Sequence, residues 1–354
     1  PEQMIPRFPE GSPFDEFFKD YFNREQRRSP SQRPLVGLGS GFIIDESGII
    51  VTNNHVIEAA DEISVILFDQ TEYIAELLGR DPKADLAVLK INTDGKELKS
   101  IKWADSDKAR VGDWTIAIGN PLGLGGTVTA GIVSAISRDI GSGPYVKFIQ
   151  TDASINRGNS GGPLFNIEGE IIGINAAIIS QTGGSIGLGF AIPSNSAKKV
   201  ISQLIEFGRT KRGWLGVEIT TVTKDIADSL GLPDTKGAFV SSLNPEGPSK
   251  KAGIQEGDII LKFNNIDVNR MVDLPRLVGE SDIGSIAKVE VWRKNKIIII
   301  DVKLGELPEK NYTKEKKSQG NSNKTHFLDL GLSVLPTENN KGIIVVDKDE
   351  NINL

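Results

Sequence analysis

Cysteine is absent from the 354 residues, and histidine occurs twice, at His55 and His326. Without cysteine there is no disulfide framework, no thiol nucleophile and no cysteine-held zinc or iron–sulfur centre. Two imidazoles far apart in sequence are too few for a histidine-rich site, so no metal is expected. No G-x-x-x-x-G-K-[ST] segment is present, which removes a Walker-type ATP site, and no cofactor is expected. Long apolar runs are lacking too: the longest, near Ile297–Ile300, has the length of a strand, not of a membrane span. Basic excess is missing as well, and a net charge of −6 gives nucleic acid or an anionic membrane nothing to bind. The chemistry falls to ordinary side chains.

Glycine, at 38 residues, is abundant while aromatics make up 6%, a balance that suits a turn-rich β protein. Residues 1–34 are polar and proline-rich, with one aromatic cluster of Phe14, Phe17, Phe18, Tyr21 and Phe22, an apolar group expected to hold an oligomer together. The chain opens at Pro1 and not at Met, as a removed upstream leader would leave it. From Leu35 onward, short β-like runs alternate with turns. Gly41–Ile44 and Ile49–Asn53 flank Asp45-Glu46-Ser47-Gly48 as a hairpin. Later runs include Leu86–Ile91, Val128–Ile136, Ile171–Ile179 and Ile186–Ile192, the pattern of a barrel or sandwich. A helix is predicted over about Ser196–Phe207, with Val200, Ile201, Leu204 and Ile205 as its apolar face. Ser194 or Ser196 is available to cap it and Gly208 to end it.

A first domain is thus expected over 35–208, and a second, after a short basic connector, over 212–306. Residues 307–326 are polar and Lys/Asn-rich, as in a flexible linker. From Phe327 a repeat begins: Leu330-Gly331-Leu332 echoes Leu215-Gly216-Val217, and Lys341-Gly342-Ile343 echoes Lys236-Gly237-Ala238. The second copy, 327–354, stops well before the first one does, as in a fragment cut inside a second domain.

Gly158-Asn159-Ser160-Gly161-Gly162 fits G-x-S-x-G, a nucleophile pattern that a glycine-rich turn also fits. Chain order discriminates. An α/β-hydrolase needs its histidine after the serine, and the later histidine, His326, lies in the linker-like stretch. The subtilisin order needs an aspartate before His55; Asp45 sits in a turn, and helix–strand alternation is missing. What remains is His55, Asp85, Ser160, the order of two-barrel proteases with the site between the barrels. The run Gly37-x-Gly39-x-Gly41 lacks its third glycine, Phe42 standing there, and leads into a hairpin, so it is not a nucleotide loop.

Several further blocks fall in register with that order: Val51-Thr52-Asn53-Asn54-His55-Val56-Ile57, Asp81-Pro82-Lys83-Ala84-Asp85-Leu86-Ala87-Val88-Leu89-Lys90, Ile118-Gly119-Asn120-Pro121, Gln150–Leu164 and Gly189-Phe190-Ala191-Ile192-Pro193-Ser194. With them, residues 35–306 resemble the HtrA/Deg family of trypsin-like serine proteases. The resemblance implies a mainly β chain: a double six-stranded β-barrel protease followed by a PDZ domain and the start of a second. It implies a catalytic triad of His55, Asp85 and Ser160, and an oxyanion hole from the N–H groups of Gly158, Asn159 and Ser160. Ser154 would lie at the base of the primary pocket; with no acid there, cleavage after Val, Ile or Ala is expected. Arg212-Gly213-Trp214-Leu215-Gly216-Val217 matches the family's carboxylate loop, with the N–H groups of Leu215, Gly216 and Val217 cradling a peptide C-terminus. The loops near Arg138–Tyr145 and Ser180–Ser185 have the polar, glycine-rich composition of activation loops. The expected partners are unfolded polypeptides, peptide C-termini and further copies in a homotrimer or a larger assembly of trimers, in the periplasm. A holdase or peptide-binding scaffold is the alternative from another class.

Overall fold

A computed structural model describes residues 39–120, 126–156, 158–178 and 184–308, and as backbone the strands 325–327, 332–336 and 343–348. The aromatic cluster before Leu35 and residues 180–183 lie outside the described residues. Two compact units result, one ending at Leu307 and one running from Pro308.

In the first unit the chain begins with β1 (Phe42–Asp45), β2 (Ile49–Thr52), β3 (Ser64–Ile66), β4 (Glu72–Asp81) and β5 (Leu86–Ile91). Among the described residues these five strands pair in the order β1-β2-β5-β4-β3. β5 lies at the centre, and its run Leu86-Ala87-Val88-Leu89 is buried on both faces. Because β5 is antiparallel to both β2 and β4, Thr52 pairs with Ala87 and Asp81 with Leu86. The end of β2, the end of β4 and the start of β5 therefore meet at one edge of the sheet.

β6 (Trp114–Gly119), β7 (Thr127–Arg138), β8 (Phe148–Thr151), β9 (Pro163–Phe165), β10 (Ile171–Ile178) and β11 (Gly189–Pro193) close a barrel in the order β10-β11-β8-β7-β6-β9. All eight residues of β10 are buried. The expected strand Ile186–Ile192 starts only at Gly189, because Gly187 turns left-handed (φ +84°) before it.

The helix Ser194–Phe207 packs on β4 and β5 as well as on β10 and β11, joining the two halves. Its buried stripe is Ala197, Ile201 and Leu204; Ile205, expected in that face, is 46% exposed. Neither serine caps it: Pro193 is the N-cap, and Ser194 Oγ donates instead to the Ala104 carbonyl (2.8 Å). Gly208 ends the helix as expected, with φ +71° and its N–H on Leu204 O.

The following domain pairs β13 (Val217–Thr221), β14 (Ala238–Leu243), β15 (Ile259–Phe263), β17 (Ile286–Arg293) and β18 (Lys296–Lys303) in that order, with β16 (Ile266–Asp267) on β15. β12 (Gly213–Trp214) and β19 (Gly305–Glu306) pair where the chain enters and leaves. Phe263, Val240, Val289, Val291, Leu274 and Ile254 fill its core. Buried Asp258 receives a two-point hydrogen bond from Arg293 (2.7 and 2.6 Å).

In the second unit β20 (Thr325–Phe327), β21 (Leu332–Pro336) and β22 (Ile343–Lys348) form an antiparallel sheet. His326 thus falls in a strand and not in the linker expected to reach it. β21 and β22 repeat β13 and β14 residue for residue, including an irregularity after the second pair: Glu218/Ile219 in one copy, Ser333/Val334 in the other.

Charged contacts tie the protease half to the domain behind it. Lys147 Nζ bonds Asp273 Oδ1 at 2.7 Å, and Arg270 approaches both Asp139 and Asp273. Burial pushes the Asp273 carboxyl up, but the hydrogen bonds from Lys147 Nζ and Arg270 N–H, with both cations near, hold it below its ordinary value. A lowered folded-state value stabilises the fold above the unfolded pKa of about 4 and ceases to do so as pH falls through the folded value. Lys147→Met should therefore lower the thermal midpoint at neutral pH. The gap to wild type should close below about pH 4; a gap independent of pH would disprove this linkage.

Candidate active site

The edge where β2 ends and β5 begins carries His55 and Asp85. Asp85 adopts a left-handed backbone (φ +55°), a conformation that aspartate tolerates better than most residues. Asn53 Nδ2 donates to its carbonyl (2.8 Å), and both carboxylate oxygens are taken by one residue: Oδ1 by His55 N–H (2.9 Å), Oδ2 by His55 Nδ1 (2.7 Å). That pairing places the ring proton on Nδ1 and leaves Nε2 as the acceptor. The imidazole is 7% exposed. Burial pushes the nearby Glu58 carboxyl up, opposed by Arg80 and reinforced by Asp85.

Ser160 stands in the turn between β8 and β9, and the approach of two backbones fixes that turn beside the first sheet. A Cβ on Gly161 (φ +86°) would overlap Ser40 O and Thr52 Oγ1, and one on Gly162 would overlap Ile118 O. Ser40, which the sequence did not single out, holds the junction. Its N–H donates to Ser160 O (2.9 Å) and its hydroxyl to Gly158 O (2.6 Å). The same hydroxyl accepts from Asn120 N–H (2.8 Å), and Ser40 O accepts from Thr52 Oγ1 (2.7 Å). Its flanking glycines are the signal that was available: Cβ atoms at Gly39 and Gly41 would strike Val56 and Val51 O. Ser160, 6% exposed, rests with Oγ 3.4 Å from Ala176 O.

Of the three N–H groups expected to form an oxyanion hole, that of Asn159 is engaged. It closes a local turn onto Asn156 O at 3.0 Å. The N–H groups of Gly158 (φ +96°) and Ser160 donate to no protein acceptor among the described residues. Ser154 is exposed, and its carbonyl accepts from Thr129 Oγ1 (2.9 Å) and Asn159 Nδ2 (3.4 Å). Beside it Ile155 is buried against Gly189, where a Cβ would press on the Ile155 side chain. Asn156 Oδ1 accepts from Ser185 N–H (2.9 Å), linking the loop before β11 to the nucleophile turn.

In the domain behind, Leu215 and Gly216 turn their carbonyls inward, onto Ser249 N–H and Asn244 N–H (both 2.9 Å). Their own N–H groups donate to no partner among the described residues. Gly216 is left-handed (φ +77°) and packs against Gly247. Val217 starts β13, an edge strand of its sheet.

A six-stranded barrel joined to a second β sheet half, with a histidine–aspartate pair at the sheet edge and a serine turn held to that half by Ser40, is the architecture of the trypsin-like peptidases, here with a PDZ domain behind. The family descriptions agree: a trypsin-like peptidase domain matches residues 39–174 and a PDZ domain residues 213–304. A probable periplasmic serine endoprotease DegP-like of Brucella suis is 48% identical, over 97% of this chain and 70% of its own length. Its namesake in Bartonella henselae is 47% identical, over 97% and 69%. Among solved structures, the HtrA-type protease AlgW with a decapeptide is 43% identical at a TM-score of 0.69, covering 77% of this chain and 83% of its own. The serine endoprotease from Yersinia pestis is 38% identical at 0.60, covering 79% and 92%. The chain belongs to the HtrA/DegP-like family of serine endoproteases.

Proposed function

We propose that this endoprotease degrades unfolded or misfolded polypeptides in the periplasm without ATP, using His55, Asp85 and Ser160 as its triad. The observation that carries the reading is the pairing of both Asp85 oxygens with His55, which leaves Nε2 as the acceptor. Ser160 Oγ leaves its long contact with Ala176 O, gives its proton to Nε2 and attacks the scissile carbonyl. The N–H groups of Gly158 and Ser160 receive the oxyanion, and Asp85 stabilises the imidazolium. His55 then protonates the leaving amine, and water hydrolyses the acyl-enzyme in a second pass. With uncharged Ser154 and apolar Ile155 beside the turn, the primary pocket takes small aliphatic side chains. Ser160→Ala should lower digestion of an unfolded test protein by ~10⁶. Wild-type products should end in Val, Ile or Ala. Digestion within tenfold of wild type would refute the nucleophile, and cuts after Lys or Arg would refute the pocket.

The free N–H groups of Leu215 and Gly216 support capture of a peptide C-terminus there, its chain adding as a strand beside β13. The loop after β7 lies against the PDZ domain: the Tyr145 ring packs on Gly279, and Asp139 and Lys147 pair with Arg270 and Asp273. Peptide binding therefore favours the active loop arrangement, with a coupling of ~1–3 kcal/mol, or roughly 5- to 150-fold. A hydrophobic C-terminal peptide should activate cleavage of a short chromogenic substrate that cannot reach the PDZ domain. Unchanged turnover would mean that the PDZ domain only tethers substrate.

Assembly as a homotrimer, and of trimers into larger particles, is supported by an apolar patch on the barrel. Trp114 in β6 and Ile167, in the turn just after the paired strand β9, are 61% and 69% exposed. Val111 lies close by in sequence, 62% exposed. Trp114→Glu should shift sedimentation from trimer to monomer; an unchanged profile would remove this face from the interface.

A further inference from the structure

Arg212 opens the sequence block matched to peptide binding, yet its side chain turns away from the peptide loop. It is 8% exposed and reaches across the domain boundary to Asp81, with NH2 2.5 Å from Oδ2 and NH1 3.3 Å from Oδ1. Asp81, 3% exposed, is the last residue of β4. Its Oδ1 also accepts from Lys83 N–H (3.0 Å) and Ala84 N–H (3.3 Å), closing the tight connection that ends at Asp85. The guanidinium is held from its other side by the Tyr145 ring, 4.6 Å from its centroid. One carboxylate thus receives the arginine and both N–H groups of the turn that sets the left-handed backbone of Asp85.

We infer that Arg212 and Asp81 are positioning residues for the catalytic acid: the ion pair fixes the carboxylate that shapes the Asp81–Asp85 connection, and through it the Asp85–His55 pair. The inference rests on the triad proposed above. Asp85 has no slack of its own. Its φ of +55° lies in the left-handed region, which few residues other than Gly, Asn and Asp enter readily, and the bonds of the turn hold it there. An Arg fork suits the task because it holds both oxygens in one plane, which a Lys point charge cannot. Without Arg212 the buried carboxylate loses its counter-charge, and the geometry it imposes on Lys83 and Ala84 relaxes.

The test uses the full chain and a short chromogenic substrate. Arg212→Met should lower kcat by roughly 10²-fold with KM little changed, the loss expected of a misplaced catalytic group. The acid limb of kcat/KM should move to lower pH, because a loosened Asp85 stabilises the His55 imidazolium less. The double variant Asp81→Leu/Arg212→Met replaces the buried pair by apolar groups and keeps the packing. It should fold, by its thermal midpoint, yet stay slow with the shifted limb, because Lys83 and Ala84 N–H have lost their acceptor. Asp81→Asn, which retains an acceptor oxygen, should recover most of the rate lost in Asp81→Leu. A double variant with wild-type kcat and acid limb would overturn the inference and leave the pair as a domain fastener. So would an Arg212→Met enzyme that folds and keeps both. Asp85→Asn is the reference: if it abolishes turnover while the Arg212 variants do not shift the profile, the positioning role fails and the triad stands. If Asp85→Asn is itself active, the triad fails.

Discussion

Where the Ser160 turn crosses the end of the first sheet, Gly161 lies too close to Ser40 O, Thr52 Oγ1 and Asn53 N for a Cβ to stand between them. Ser160 and His55 come from different halves of the protease, and a site spread over two halves needs a close, fixed junction. Glycine permits the approach, and hydrogen bonds then hold it. All polar groups of Ser40 are spent on the nucleophile turn, the end of β2 and Asn120. The helix Ser194–Phe207 reinforces the same junction from behind by burying Ala197, Ile201 and Leu204 against both halves, each large aliphatic side chain contributing about 1.5–3 kcal/mol.

Within the first half, strand pairing accounts for the proximity of the histidine and the aspartate. β2 and β5 are antiparallel neighbours, so residues just beyond the end of one and just before the start of the other share an edge. The left-handed turn at Asp85 then aims its carboxylate back at His55. The fold supplies proximity and the turn supplies direction, and the two have separate causes.

That separation explains what the sequence could tell. Proximity was legible: β5 is a continuous apolar run, the hairpin before β2 is marked by its turn residues, and the order His55, Asp85, Ser160 selects the two-barrel arrangement. Direction was not. The bond from Asn159 N–H to Asn156 O, the commitment of Ser194 to the Ala104 carbonyl and the grip of Arg212 on Asp81 are each invisible as pattern. The last two join residues about a hundred positions apart, and composition or periodicity carries no trace of such pairs. Arg212 shows the hazard of reading by motif. Its place before Trp214-Leu215-Gly216 suggests the peptide site, while its guanidinium belongs to the protease half.

The second unit illustrates the opposite case, in which pattern was sufficient. The echo of Leu215-Gly216-Val217 in Leu330-Gly331-Leu332 concerns few residues, yet β21 and β22 reproduce the register of β13 and β14 down to the position of the irregular pair. A bulge of this kind turns a strand and increases its twist, so the two strand pairs share a local bend. In the first copy that edge begins at the Gly216 turn, whose N–H groups are free and whose carbonyls are taken. The register of that strand pair recurs in the second copy, where β20 already lies beside β21, whereas the long-range pair that ties Arg212 to the protease has no counterpart to its arginine in the residues just before Leu330, which read His326-Phe327-Leu328-Asp329. The two copies share a strand pair and its irregularity, and the arginine that grips Asp81 belongs to the first.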